Sequence, residues 1–379
     1  MSGVDMAAAG PPLNIVILGL SITSSWGNGH ATTYRALVRE LSRRGHRVLF
    51  LERDVPWYAE HRDLPAPPFG RTVLYSDIDE LQRVHGSAVA SADLVIVGSY
   101  VPEGVAIGDW VQAEARGRCA FYDIDTPVTL AALAQGGTAY LQARQIAGYD
   151  LYLSFTGGPT LARLEREFGS PAARVLYCSV DPALYYPDDA DDADDAEARD
   201  RVDLGYMGTY SVDRQPTLEA LLLAPARAWA GGRFAVAGAQ YPADMAWPDN
   251  VRYTAHLPPA RHRAFYNRQR FTLNVTRADM IEAGWSPSVR IFEAAACGTP
   301  IISDRWAGIE SLLAPGVEIF LADTGAEVLR LLRDMPEEDR RAAGRRARPR
   351  ILAGHTAAHR AAELAAHARA LLRSREMTA

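Results

Sequence analysis

The sequence predicts an α/β protein built from two Rossmann-like domains facing each other across a cleft. Three observations carry that reading. Short, continuously apolar runs alternate with longer amphipathic stretches, the pattern of parallel strands buried on both faces and connected by helices. The alternation stops at an acidic interruption near residue 190 and then starts again. The length, 379 residues, exceeds one ordinary domain and suits two of about 150–200.

The first twelve residues, MSGVDMAAAGPP, lack a basic start and a long apolar centre, so they read as a disordered lead-in and not a signal peptide. Residues 13–187 form the first predicted domain. Its strands are LNIVILGL (13–20), HRVLFLE (46–52), ADLVIVGSY (92–100), CAFYDID (119–125), DLYLSF (150–155) and RVLYC (174–178), with helices expected over 31–44 and 127–147. Residues 188–201 are an acidic linker or loop. DDADDADDAEARD (188–200) holds eight acids and one arginine, too polar and too simple to pack. The second domain spans 202–354, with strands at DLGYMGT (203–209), RFAVAGA (233–239), VRYTAHL (251–257), FTLNVT (271–276), PIISD (300–304) and EIFLA (318–322). A C-terminal helix fills 355–379. His355 and His359 lie four apart in it, but no carboxylate accompanies them at a metal-ligand spacing, so a surface helix is expected.

Composition narrows the function. The chain is 48% apolar and 23% charged, as a globular protein with a full core is. The formal charge of -6 comes from the acidic run, and without it the chain is near neutral, so no basic face for nucleic acid is expected. Cys119, Cys178 and Cys297 have no CxxC spacing, which speaks against a zinc site or a disulfide framework and for reduced thiols in the cytoplasm. No apolar run approaches the ~20 residues of a transmembrane segment.

In sheets of this type ligands bind beyond the carboxyl ends of the strands, so the loops there are the candidates. The first strand runs into SITSSWGNGH (21–30). Gly27, Asn28 and Gly29 precede a helix whose N-terminus offers free N–H groups to an anion or a sugar hydroxyl. His30 is a base or sugar contact on one reading and a capping or packing residue on the other. CAFYDID ends at Asp123 and Asp125, two apart and on one side of an extended strand. Two carboxylates there suit a metal clamp, a general base or hydrogen bonds to sugar hydroxyls; the structural alternative is that Asp125 or Thr126 caps a helix beginning at Pro127.

In the second half, Gly208 and Thr209 make a tight turn before Arg214. A glycine lets a diphosphate approach the backbone and an arginine neutralises it; alternatively Arg214 pairs with Asp213. The segment LNVTRADMIEAGWSPSVRIFEAAACGTPIISDRWAGIESLL (273–313) is the richest. Ser286 or Ser288 can cap the helix that carries Arg290 and Glu293. The last two are three apart on one face, so they could simply pair.

PSVRIFEAAACGTPIISDRWAGIE (287–310) resembles the donor-binding signature of GT-B glycosyltransferases of the family-4 and CgeB-like type, and GYMGTYSVDR (205–214) resembles the first loop of the same domain. The resemblance implies the GT-B fold over nearly the whole chain. It also implies that Glu293 hydrogen-bonds the nucleotide ribose, that Ser288 and nearby amides meet the diphosphate, that Arg214 neutralises it, and that the nucleobase lies near His256 and Leu257. The sequence departs from the pattern at Trp285, where retaining members carry a glutamate; Glu282 stands three residues earlier. The lysine that usually partners the arginine is also missing.

The expected function is therefore sugar transfer from a nucleotide-diphosphate sugar, bound as substrate with no cofactor and no metal, to an unidentified small molecule or glycan. Asp123, Arg214 and His30 are the catalytic candidates. Gly208, Thr209, His256, Leu257, Ser286, Ser288, Arg290 and Glu293 join Arg214 as donor contacts. Gly27, Asn28, Gly29, His30, Asp123 and Asp125 face the acceptor. The alternatives are a nucleotide-sugar epimerase of the same fold, a non-catalytic nucleotide-sugar-binding or spore-surface protein on it, and a metal-dependent transferase using Asp123 and Asp125.

Overall fold

The computed structural model describes residues 10–188 and 201–376. It divides into two compact units. One comprises residues up to Ser24, His30–Leu176 and the chain from Ala357 onward; the other comprises Ser25–Gly29 and Tyr177–Thr356. The predicted lead-in and acidic linker fall almost wholly outside the described residues.

The first unit holds a seven-stranded parallel sheet, β1 (Asn14–Gly19), β2 (Arg47–Arg53), β3 (Arg71–Tyr75), β4 (Leu94–Gly98), β5 (Arg118–Asp123), β6 (Leu151–Ser154) and β7 (Ala173–Val175), in the order β3-β2-β1-β4-β5-β6-β7. Its central strands are apolar at nearly every position because helices cover both faces; Ile15, Val16, Ile17 and Leu18 of β1 are all buried. The edge strand β3, RTVLY, has no uninterrupted apolar run because it is mostly only half-buried. The helix expected over 127–147 is interrupted. It runs Thr126–Ala134, stops at Gly136 and Gly137, whose φ values of 116° and 114° no helix tolerates, and resumes only as Ala143–Ile146.

The second unit holds a six-stranded parallel sheet, β8 (Val202–Met207), β9 (Phe234–Ala237), β10 (Val251–Thr254), β11 (Gln269–Asn274), β12 (Ile301–Ser303) and β13 (Phe320–Leu321), in the order β10-β9-β8-β11-β12-β13. Each sheet grows outward in one direction and then reverses, at β1/β4 in the first and at β8/β11 in the second. Such switch points open a crevice at the strands' carboxyl ends.

The C-terminal helix, Ala357–Glu376, is part of the first unit. It packs on the helix His30–Arg43, and Arg118 of β5 donates to the Leu371 carbonyl through Nε (3.0 Å) and Nη2 (2.8 Å). His355 does not share that helix with His359: it ends the preceding helix, Glu337–Gly354. No helix among the described residues is long and apolar enough to cross a membrane.

Candidate functional site

The switch point of the second sheet is occupied by one guanidinium. Arg290, 5% exposed, sits in the first turn of the helix Val289–Ala296. Its Nε donates to the Met207 carbonyl at the end of β8 (2.5 Å), and its Nη1 donates to Asn274 Oδ1 at the end of β11 (2.7 Å) and to the Ser288 hydroxyl (3.2 Å). The guanidinium also lies 4.7 Å from the centre of the Tyr206 ring. Asn274 is the hub beneath it: Oδ1 accepts from Ser288 as well (2.7 Å), and Nδ2 donates to Thr276 (3.2 Å) and to Ser303 at the end of β12 (2.9 Å). Asp304 closes the network by accepting from the Thr276 amide (2.7 Å) and hydroxyl (2.8 Å), and burial raises its pKa. Ser288 therefore occupies the helix N-cap without a side-chain capping bond, because its hydroxyl is committed to Asn274. Arg290 and Glu293 take different partners.

Two glycines, Gly208 after β8 and Gly238 after β9, bring the ends of these strands together. A side chain on Gly238 would place Cβ 1.9 Å from the Gly208 carbonyl oxygen, and one on Gly208 would meet Tyr206 at 2.4 Å and Arg290 at 2.9 Å. Only glycine permits this approach of loop to loop. Arg214 lies just beyond. Its Nη2 donates to the Thr209 carbonyl (2.8 Å), while its Nε is buried and has no hydrogen-bond partner. Asp213 is engaged instead by Arg277, at 3.1 Å. A buried N–H left unpaired costs about 1–3 kcal/mol, and an anion at the Gly208–Thr209 turn would satisfy it. Tyr241, which the sequence did not flag, donates to the Gly208 carbonyl (3.3 Å) and packs against Tyr210 and Trp247.

Glu293 is 2% exposed. The Tyr266 hydroxyl donates to its Oε2 (2.8 Å), and the Tyr185 hydroxyl also lies against its carboxylate; burial first, and then this charge, raise both tyrosines far above the ordinary phenol value. His256 and Leu257 follow β10 and are half-buried. The His256 ring lies 4.7 Å from that of Trp26, a residue grouped with this unit, and the Leu257 carbonyl is 3.0 Å from His262 Nε2. Ser286 is buried. Trp285 has φ 45° and its amide donates to the Ala307 carbonyl (2.6 Å), so the indole fills the space over Gly308. Glu282 is exposed on the short helix Ala278–Ala283.

In the first unit, the carboxyl ends of β4 and β5 carry a tyrosine-rich network. Asp123 is completely buried. Its Oδ2 accepts from Tyr152 (2.5 Å) and its Oδ1 from Thr129 (3.0 Å) and the Asp125 amide (3.2 Å), yet desolvation still pushes its pKa up to about 6. Asp125 is half-buried at the N-cap of Thr126–Ala134; its side chain makes no capping bond and accepts from the Tyr100 hydroxyl (2.9 Å). Tyr100 itself is held at φ 64°, a conformation a bulky residue adopts only under constraint. His30 opens the helix His30–Arg43, with its ring 5.8 Å from Phe155. Gly27, Asn28 and Gly29, predicted with the first domain, are grouped instead with the second unit: Gly27 has φ 58° and Asn28 is buried, whereas a side chain on Gly29 would meet nothing within 4 Å. Sequence reading passed over Glu52, the residue that ties down the loop after β1. Fully buried at the end of β2, it accepts from the Ile22 amide (2.7 Å), the Thr23 amide (3.0 Å) and the Ser21 and Thr23 hydroxyls (2.9 and 2.6 Å).

Residues 214–366 match the profile of a family described as glycosyl transferase-like. Comparison with curated protein sequences gives no match. Among solved structures, a sucrose-phosphate synthase from Thermosynechococcus elongatus superposes with a TM-score of 0.69 at 15% identity, covering 95% of this chain and 99% of that one. HepE from Anabaena, solved in complex with UDP-glucose, gives 0.69 at 12% identity, covering 95% and 100%. An α-glucosyltransferase solved with UDP and a 13-mer DNA gives 0.67 at 11% identity, covering 93% and 98%. Two parallel sheets with these strand orders, matched along nearly the full length of such structures, give the chain the GT-B fold of glycosyltransferases.

Proposed function

We propose that the chain is a glycosyltransferase that moves a sugar from a nucleoside-diphosphate sugar, bound by the second unit, to the hydroxyl of an acceptor bound by the first. The observation that carries this is the unpartnered, buried Nε of Arg214 beside the glycine turn Gly208–Thr209. The profile match includes Arg214, Ser288, Arg290 and Glu293, and HepE, of the same fold, was solved with UDP-glucose.

In this reading Arg214 and the amides after Gly208 take the diphosphate, and Arg290 sets the turn's position from beneath. Charge that develops on the departing diphosphate is stabilised by groups already in place. The ribose goes to Glu293 and the base to the backbone around His256 and Leu257. On the acceptor side, Asp125 takes the acceptor's hydroxyl, because Asp123 is enclosed and all its bonds are internal. His30 completes that side, and Gly27, Asn28 and Gly29 are acceptor contacts contributed by the second unit, with which they are grouped. The reaction needs no metal, and the protein works in the cytoplasm.

The first experiment is a melting curve with UDP, GDP, ADP, CDP and dTDP. A ligand at a hundredfold excess over its Kd stabilises by about 2.7 kcal/mol, which is easily read. The matching nucleotide sugars are then incubated with and without candidate acceptors, in buffer and in EDTA. A glycosylated acceptor supports transfer, and a new nucleotide sugar formed without acceptor would identify an epimerase instead. No stabilisation by any nucleotide would sink the donor site.

A further inference from the structure

Two side chains outside the sheet connect the nucleoside end of the donor site to itself. Tyr185, 5% exposed, stands in the segment that leads into the acidic run. Its hydroxyl lies 3.2 Å from His262 Nδ1 and also against the Glu293 carboxylate. The other nitrogen of His262, Nε2, is 3.0 Å from the Leu257 carbonyl. His262 opens the helix His262–Asn267, and Tyr266, four residues on and so on the same face, donates to Glu293 Oε2 (2.8 Å). A polar path thus runs from the Leu257 carbonyl through His262 and Tyr185 to Glu293, and Tyr266 anchors its far end. It joins three separate segments: 181–187, 256–266 and the helix Val289–Ala296.

The two ends of the path are the residues assigned above to the base and to the ribose. A carboxylate and a backbone loop that must grip one rigid nucleoside need a fixed spacing, and groups preset at that spacing lose less freedom on binding. We infer that Tyr185 and His262 are positioning residues for the nucleoside half of the donor, holding the Leu257 backbone and the Glu293 carboxylate at the separation one nucleoside requires. The inference rests on the donor-site reading. It makes Tyr185 act through Glu293 and not through the diphosphate turn.

The test is calorimetry with whichever of UDP, GDP, ADP, CDP and dTDP the wild type binds best. Tyr185→Phe and His262→Phe should each weaken binding by about 5–30-fold, the effect of one hydrogen bond. His262→Gln, whose amide can still donate to the Leu257 carbonyl, should recover most of the loss. Double variants supply the readout that a general structural role would not move. Tyr185→Phe combined with Glu293→Gln should bind little worse than Glu293→Gln alone, whereas Tyr185→Phe combined with Arg214→Ala should show the product of the two single effects. Unchanged affinity in both Tyr185→Phe and His262→Phe, or multiplicative losses with Glu293→Gln, overturns the inference and leaves the donor site standing. A wild type that binds none of the five nucleotides overturns the donor site, and this inference with it.

Discussion

Arg290 donates to the side-chain oxygen of Asn274 at 2.7 Å, and in doing so joins the helix Val289–Ala296 to the end of β11 while its Nε holds the end of β8. One planar, rigid fork reaches both strand ends, which a single ammonium could not do. Arg290→Lys should therefore lower stability and nucleotide affinity together, each by about 1–3 kcal/mol. Denaturant unfolding and calorimetry on the same preparation check this. Full stability in the variant would mean that the fork does not organise the switch point.

Glu293 offers a separate test of the ribose. Glu293→Ala should weaken nucleotide binding by roughly 1–3 kcal/mol, but it also strips the buried Tyr266 hydroxyl of its acceptor. Glu293→Gln keeps an acceptor oxygen for Tyr266 and is the cleaner variant. It should lose affinity with little change in melting temperature. A folded Glu293→Gln that binds as the wild type does would reject the ribose role.

These residues also mark how far sequence reading reaches. Twelve of the thirteen strands among the described residues begin within two residues of an apolar run recognisable in the sequence, because strands buried on both faces leave an uninterrupted signal. The exception, β3, is an edge strand whose residues are mostly only half-buried, so the apolar signal is interrupted. Within the candidate site, Gly208 and Arg214 stand out in the sequence as a glycine turn followed by an arginine before a helix, whereas Gly238 does not, because its partner Gly208 is distant in sequence. Asn274, Asp304 and Glu52 were not legible, since a polar residue at a strand end becomes a hub only through neighbours that the fold supplies. Tyr185 was hidden for the same reason: its partners lie 77 positions away at His262 and farther on at Glu293.

Asp123 gives a pH dependence with a definite sign. Its folded-state pKa is raised to about 6 from an ordinary 3.8, so the folded protein binds the proton more tightly than the unfolded chain. The contribution to stability is full below about pH 4, declines as pH rises to about 6, and amounts to about 3 kcal/mol. Other carboxylates titrate in the same range, so the measurement is a difference: unfolding free energy of wild type minus that of Asp123→Asn, from pH 4 to 7. It should fall through that window and level off above it. A flat difference would mean that Asp123 is charged throughout.

Replacing residues 189–200 with a Gly-Ser segment of equal length should leave melting temperature and activity nearly unchanged, because a run of Asp and Ala has little apolar surface to bury. Asp188 is kept, since its carboxylate accepts from Arg263 at 2.5 Å. Loss of activity in the replacement would show that the acidic run makes specific contacts of its own.

The two aspartates of the D-I-D turn should separate in a transfer assay. Asp125 is half-buried and accepts from Tyr100, whereas Asp123 is enclosed by Tyr152, Thr129 and the Asp125 amide. If Asp125 takes the acceptor's proton, Asp125→Asn should lower turnover on the order of 10²–10⁴-fold while nucleotide affinity stays the same. The asparagine still offers Tyr100 an oxygen, so the turn should hold. Asp123→Asn should cost far less, acting only through the turn it supports. The reverse order, with Asp123→Asn the more damaging and the protein still folded, would return the base role to Asp123 through an opening of the turn. Full activity in both variants would leave neither carboxylate as base and favour a retaining route, in which the leaving diphosphate itself accepts the proton and the aspartates only orient the acceptor.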